Sequence, residues 1–339
     1  MKKLDDSDLF NPNDTIGDYV IETSIKLRTK NHVYKAFKPP NIGKEYYVVK
    51  VLPYETLKEK LKFNREQEIL THLEGYDFIL HPITSIEKKF NISIHNTNEE
   101  EEEEEDQEKT FMCVIMNFCN HFDLRDFYYK TVKGENRLEL RLQIFHQTLT
   151  ILKNIHERRV VHNDIKPQNF LVRNIDPIDI VLTDFEFAVE LEEGEYINTK
   201  CGTIQYMAPE VLNDQDHDMA ADIWSLGVMM YKFSRSIFPF GIQPKDELEV
   251  VKEKINKNNL VFGNKFPRPL GSLIIQMLKK NPKDRITAEK ALKHPYFVKF
   301  TAIEEATKER ISEITEVETL IEEVQPEIEQ IEGVINEEK

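Results

Sequence analysis

The spacing of apolar residues changes character once along this chain, near Phe118–Asp123, and that change limits the folds open to it. Before it, Tyr19-Val20-Ile21, Val33–Phe37, Tyr46–Val51 and Phe111–Met116 are short runs of β-branched and aromatic residues, which is strand chemistry. A charged stretch, Tyr54–Leu73, carries Leu57, Leu61, Ile69, Leu70 and Leu73 at helical spacing, so one helix is expected among the strands. A strand near Ile83–Ile92 is a weaker reading. After the junction the period lengthens. Leu138–His156 is an amphipathic helix by its apolar positions, and Ala220–Phe233 reads as a buried helix around Trp224. Leu270–Leu278 and Ala288–Leu292 read as two more helices. The pattern predicts an α+β chain, strand-rich first and helical second, with a ligand cleft where the parts meet.

Charge locates what lies outside that body. The net charge is −16, but Glu99–Asp106 alone supplies −8 and the tail 301–339 supplies −10, so the remainder is near neutral. No basic face argues for nucleic acid. The acidic run, falling between two strand runs, reads as a solvated insertion at a hairpin tip, which costs little entropy. The chain starts on polar residues and has no apolar run near the ~18 residues of a membrane span, so neither export nor a membrane is expected. Cys113, Cys119 and Cys201 then read as reduced thiols in a cytoplasmic protein, with a nuclear location left open.

Short polar motifs follow one another through the second part. Val161-His162-Asn163-Asp164-Ile165-Lys166-Pro167-Gln168-Asn169 places an Asp, a Lys and an Asn within six residues. Thr183-Asp184-Phe185, Cys201-Gly202-Thr203, Ala208-Pro209-Glu210, Asp222-Ile223-Trp224-Ser225-Leu226-Gly227 and Asp284-Arg285 come after it in that order. From about Asp18 to Phe300 the chain resembles the eukaryotic protein kinase family, and Lys166 and Thr203 resemble its Ser/Thr members. The resemblance implies a bilobal α+β kinase fold. It implies a leader at 1–17, a kinase domain at 18–300 and an acidic helical or disordered tail at 301–339. Within the domain an N-lobe would span 18–116, with the acidic loop at about 95–109, a hinge 117–122 and a C-lobe 123–300.

The implied activity is transfer of the ATP γ-phosphoryl group to protein hydroxyls with Mg²⁺, and the residue chemistry agrees. Phosphoryl transfer needs charge neutralisation and positioning rather than covalent help. Asn169 and Asp184 offer hard oxygen ligands for Mg²⁺. Asp164 is the expected base for the acceptor hydroxyl, and Lys166 a cation for the γ-phosphate. Lys50 would hold the α- and β-phosphates, with Glu66 as its helix partner in preference to Glu68. The resemblance also places an adenine slot: Met116 at its gate, Asn117 and Cys119 at the hinge, and Val33, Val48 and Leu171 on its faces. Asp123 would take a ribose hydroxyl or a basic substrate residue. Phe185 and His162 should pack beside Leu70, Asp222 should hold the catalytic loop, and Glu210 and Arg285 should form a buried pair.

Three departures from the family pattern stand out. The phosphate flap, Ile25–Val33, has no glycine, with Lys26, Arg28 and Asn31 in the glycine places. Glu186 follows Phe185 where glycine is usual, and it reads as pointing to solvent. Asn163 replaces the usual Arg and lacks the forked charge that a phosphate on Thr199 would want. They motivate the competing expectation of a catalytically weak scaffold. Protein substrates are the expected partners, and segments 99–106 and 301–339 are candidate docking surfaces.

Overall fold

The computed structural model describes residues 9–25, 32–40, 45–98, 101–120, 123–131, 137–264 and 266–298. The flap residues 26–31, part of the hinge at 121–122 and the tail 301–339 fall outside them.

The first part is one antiparallel sheet of six strands, in the order β1-β2-β3-β4-β6-β5. The strands are β1 (Thr15–Ile16), β2 (Tyr19–Ser24), β3 (His32–Phe37), β4 (Tyr46–Pro53), β5 (Pro82–Asn98) and β6 (Glu101–Asn117). Both faces of its centre are covered, which is why Tyr46–Val51 and Phe111–Met116 read as apolar runs rather than alternations. Register places Val48 opposite Met116 and Lys50 opposite Val114. Opposed residues share a face, so these four look one way, with Leu80 and Val181 in their cluster. Tyr34, Ala36, Val49, Cys113 and Ile115 fill the other side.

That other side corrects the expectation of a loose leader for residues 9–17; residues 1–8 of it lie outside the described residues. Phe10 is 2% exposed and meets Tyr34 and Phe90 edge-on at 5.2 and 5.0 Å. The amides of Leu9 and Phe10 donate to the Tyr34 hydroxyl at 2.7 and 3.3 Å. The few apolar residues of a polar stretch are thus the ones the sheet needs. Phe10→Ala should cost about 3 kcal/mol, the low end for a buried phenylalanine, read as a lower urea midpoint. A loss under a few tenths would mean the segment is ornamental.

The acidic loop at about 95–109 is also corrected. The hairpin ladder continues through it, pairing Phe90 with Lys109, His95 with Glu104 and Asn98 with Glu101. The ladder started by the strong strand Phe111–Met116 propagates outward, because each further step pairs backbone groups that a loop would leave to water. Lys89 reaches Glu108 at 2.7 Å across the strands.

Helix α1 (Leu57–His72) starts at a capping box, in which Thr56 accepts from the Glu59 amide and Glu59 accepts from the Thr56 amide. Its buried residues are Ile69 and Leu70, whereas Leu57 and Leu61, expected on the apolar face, are 73% and 60% exposed. Only the last turns of the helix lie over the cleft.

The second part holds α2 (Leu124–Thr131), α3 (Arg137–Glu157), α4 (Pro209–Leu212), α5 (Ala220–Arg235), α6 (Leu248–Lys257), α7 (Arg268–Met277) and α8 (Ala288–Leu292). Four short strands, β7 (Val160–Val161), β8 (Phe170–Ile175), β9 (Ile178–Leu182) and β10 (Val189–Glu190), carry the polar motifs. As expected, α5 is buried almost throughout, with Trp224 stacked parallel on Phe240 at 5.6 Å. The Leu80 amide donates to Leu182 O at 3.0 Å, and the Leu182 amide to Phe78 O at 2.8 Å, tying the sheet to the β8–β9 hairpin. This is the bilobal α+β arrangement of a strand-rich lobe on a helical one. No helix among the described residues is long and apolar enough to cross a membrane.

Candidate active site

The polar motifs from Val161 to Thr203 gather at the cleft, and Asp222 supports them from below. The loop between β7 and β8 is fixed from below by Asp222 on α5. Its carboxylate accepts from the amides of His162 and Asn163 at 2.8 and 2.9 Å, and His156 Nε2 lies 3.0 Å away. Burial pushes the Asp222 carboxyl up, but His156 and His162 outweigh it and hold the group below the usual range. His162 meets Phe185 edge-on at 4.9 Å, and Phe185 lies in the cluster that contains Leu70. Arg285 forks onto Glu210 at 2.6 and 3.0 Å. These three structural expectations hold.

Above that base, Asp164 is 5% exposed and fully engaged. Its Oδ1 accepts from Thr203 Oγ1 at 2.8 Å. Its Oδ2 accepts from Lys166 Nζ and, at 3.1 Å, from Asn169 Nδ2. Lys166 Nζ also reaches Thr203 Oγ1 at 3.1 Å, closing a ring of three side chains to which Asn169 is attached at Asp164. Asn169 spends its amide nitrogen on Asp164, which leaves Oδ1 as its remaining polar atom. Gly202 permits the ring: at φ +93° a Cβ there would lie 2.4 Å from Asn163 O. The role of Thr203 is not visible in the sequence beyond its place after Gly202.

Lys50 departs from expectation. Its ammonium sits 2.8 Å from Asp184 Oδ1 and forms no ion pair with Glu66. Burial pulls Lys50 down, but Asp184 first and Glu66 second leave it above its ordinary value. Burial likewise pushes Asp184 up, and Lys50 reverses the sign. Glu66 has no such partner, so burial leaves its carboxyl raised. It still lines the pocket behind Met116 with Lys50, Leu70, Val114 and Asp184, while Glu68 is exposed.

A second pair lies one turn earlier on α1. Lys62 pairs with Glu186, the residue expected to face solvent, and its ammonium also lies 5.3 Å over the Phe187 ring. Glu186 therefore fastens the segment after Phe185 to the helix. No glycine is needed for the backbone, because the left-handed residue is Asp184, φ 67°, and not Glu186.

Of the slot residues, Val48, Met116, Cys119 and Leu171 share one cluster. Val33 is buried, pairs with Lys50 in register and lies outside that cluster. Asn117 ends β6 and is exposed. Asp123 bridges to Leu171 across the hinge end, but its Oδ1 accepts from the Asp126 amide at 2.8 Å and so caps α2.

Asn163, also left-handed at φ 64°, donates Nδ2 to Phe187 O at 2.9 Å. Its Oδ1 lies 3.0 Å from His217 Nε2, so that nitrogen carries the proton. Burial pushes this imidazole down despite the Gln215 backbone and the charges of Asp222, Glu210 and Asp218 nearby. A histidine depressed in the fold contributes stability above its unfolded pKa of about 6.5, and that share is lost as pH falls. Lowering the pH from about 7.5 to 5.5 should therefore reduce the urea midpoint. His294, shifted the same way, leaves part of the effect in a His217→Gln variant. An unchanged pH dependence in that variant would refute this.

A family model described as protein kinase domain matches residues 30–297. The chain is 34% identical to the serine/threonine-protein kinase unc-51 of Caenorhabditis elegans over 214 residues, 60% of this chain and 24% of that one. It is 30% identical to the human serine/threonine-protein kinase ULK1 over 191 residues, 54% of this chain and 18% of that one. It is 29% identical to the serine/threonine-protein kinase AtPK2/AtPK19 of Arabidopsis thaliana over 266 residues, 75% of this chain and 49% of that one. The chain thus spans at most about half the length of these relatives.

Proposed function

Given that this chain belongs to the Ser/Thr protein kinase family, we propose that it is an active kinase which transfers the γ-phosphoryl group of ATP to a protein serine or threonine with Mg²⁺. The observation that carries the reading is the ring of Asp164, Lys166 and Thr203, with Asn169 bonded to Asp164 beside it. It presents a held carboxylate, one ammonium and one free amide oxygen at the cleft mouth.

Asp164 accepts the acceptor hydroxyl's proton, and Thr203 and Asn169 fix the direction in which the carboxylate points. Lys166, already on that carboxylate, can turn toward phosphate oxygens. Lys50 serves the inner phosphates. Val48, Met116 and Leu171 enclose the base of the nucleotide. The donor set suits Mg²⁺: Asp184 and Asn169 Oδ1 are hard oxygens, and such sites need only one or two carboxylates plus phosphate oxygens. Bound there, the ion would neutralise charge on the phosphates. Asp184 already carries a cation in the form of Lys50, so its carboxylate is shaped for positive charge.

The pairing of Lys50 with Asp184 and of Lys62 with Glu186 favours a second reading, a scaffold that transfers slowly. Radiolabel transfer from ATP to a generic acceptor protein separates the two, with nucleotide-dependent melting in the presence and absence of Mg²⁺ beside it. A melting shift without transfer leaves only the scaffold. Thr199 is exposed, and Asn163 is committed to Phe187 and His217. Thr199→Ala should therefore keep transfer within about twofold, well under the roughly tenfold that one charge-assisted hydrogen bond is worth. Loss of transfer in a folded Thr199→Ala protein would refute this.

A further inference from the structure

Helices α2 and α5 are stapled side by side. Tyr128 stacks on Phe233 at 4.0 Å with the rings 4° from parallel, and its hydroxyl donates to Phe233 O at 2.8 Å. The staple brings two cations together: Arg125, one turn before Tyr128, and Lys232, the neighbour of Phe233. Lys232 is half-buried. Its ammonium lies 3.8 Å over the Phe238 ring and donates to the Tyr206 hydroxyl at 3.2 Å. Neither Lys232 nor Arg125 has a carboxylate in ion-pair contact among the described residues. Asp123, whose charge Arg125 does feel, is occupied in capping α2. Burial and the Arg125 charge pull Lys232 down to about 8, as expected of a cation held beside another with no anion between them.

The position of this pair gives it meaning. Tyr206, whose hydroxyl Lys232 meets, lies one turn after Thr203, which touches Asp164, so the pair stands close to the segment that holds that carboxylate. The turn Pro167–Asn169 packs against α2, and there Gln168 brings no negative charge; its Oε1 is buried without a partner among the described residues. At Arg125 and Lys232 a basic substrate side chain would meet two like charges, while Asp123 caps α2 and Asp126 pairs with Lys130. We propose that Arg125 and Lys232 form a subsite for an anionic side chain, a carboxylate or a phosphate monoester, close to the acceptor hydroxyl of the protein substrate. This rests on the kinase reading above and names its substrate class. The attraction is strong because the cations are partly desolvated and unpaired, and it orients the peptide before transfer.

The test uses fluorescent peptides around one serine, with Asp, phosphoserine, Ala or Arg placed in turn at each flanking position, and anisotropy against the full chain. At one or more positions the Asp or phosphoserine peptide should bind about tenfold more tightly than the Ala peptide, the value of one charge-assisted contact. The Arg peptide should bind more weakly than Ala. Lys232→Glu should reverse the order. Lys232→Met, which keeps the stem on Phe238, should flatten it, as should Arg125→Met. Preference for phosphoserine over Asp would identify a substrate that is already phosphorylated; equal preference would identify a plainly acidic one. Equal binding of all peptides, no binding of any acidic peptide, or an order that survives Lys232→Glu overturns the proposal. Radiolabel transfer to the Ala peptide is followed in parallel. If transfer fails while the binding order holds, the kinase reading falls and the subsite stands.

Discussion

Asp164→Asn is expected to lower phosphoryl transfer by about 10²–10⁴-fold, the usual worth of a positioned general base, with the nucleotide-dependent melting shift kept. The substitution is nearly isosteric. One amide oxygen can still accept from Lys166 or Asn169, and the Thr203 hydroxyl can rotate to accept from the new amide. What disappears is a carboxylate able to take a proton. Initial rates from radiolabelled ATP, set beside thermal melts with and without nucleotide, divide the two effects. Transfer at the parental rate would remove Asp164 from the chemistry. Loss of both transfer and the melting shift would mean that the residue holds the cleft together instead.

Arg285→Ala is expected to cost about 3–5 kcal/mol of stability, because it strands a buried carboxylate. The side chains of Arg285 and Glu210 are 0% and 3% exposed. Arg285 also donates to Ala220 O at 2.6 Å and to Lys279 O at 3.1 Å, and lies over Trp224 at 5.3 Å. One guanidinium thus joins α4, the start of α5 and the turn before α8. The cost belongs to the broken pair rather than to the pair's net worth. A double variant, Glu210→Gln with Arg285→Met, should therefore recover a large part of it. Urea unfolding followed by tryptophan fluorescence reads both, since Trp224 sits in the affected packing. A cost below about 1 kcal/mol for Arg285→Ala, the level of an exposed pair, would show that the carboxylate finds water.

The sequence is a good guide where a residue's role follows from local chemistry. The strands at Val33–Phe37, Tyr46–Val51 and Phe111–Met116, the helices around Leu149 and Trp224, and the gathering of Asp164, Lys166 and Asn169 are all legible. So are the Asp222 clamp and the Glu210–Arg285 fork, through the family resemblance. It fails where a long-range partner decides. Phe10 looks like part of a polar leader because Tyr34, its receptor, lies 24 residues away. Glu186 looks solvated because Lys62 lies 124 residues before it. Lys50 could choose between two acids, and spacing cannot say which it reaches. Helices α2 and α6 and the short strands β7 to β10 escape the reading because they are brief and fixed by their neighbours. The acidic strand of the hairpin escapes it because glutamate runs carry no strand signature.

Similarity to other kinases begins at residue 30, yet the folded body begins at least as early as Leu9. A protein trimmed to the similarity boundary would lack Phe10, β1 and β2. It would bare Tyr34 and Ala36 and turn β3 into an unpaired margin whose amides and carbonyls invite a neighbouring molecule to add a strand. Such a fragment should precipitate where the longer chain stays dispersed. What evolution copied and what physics requires for solubility therefore have different limits in this chain.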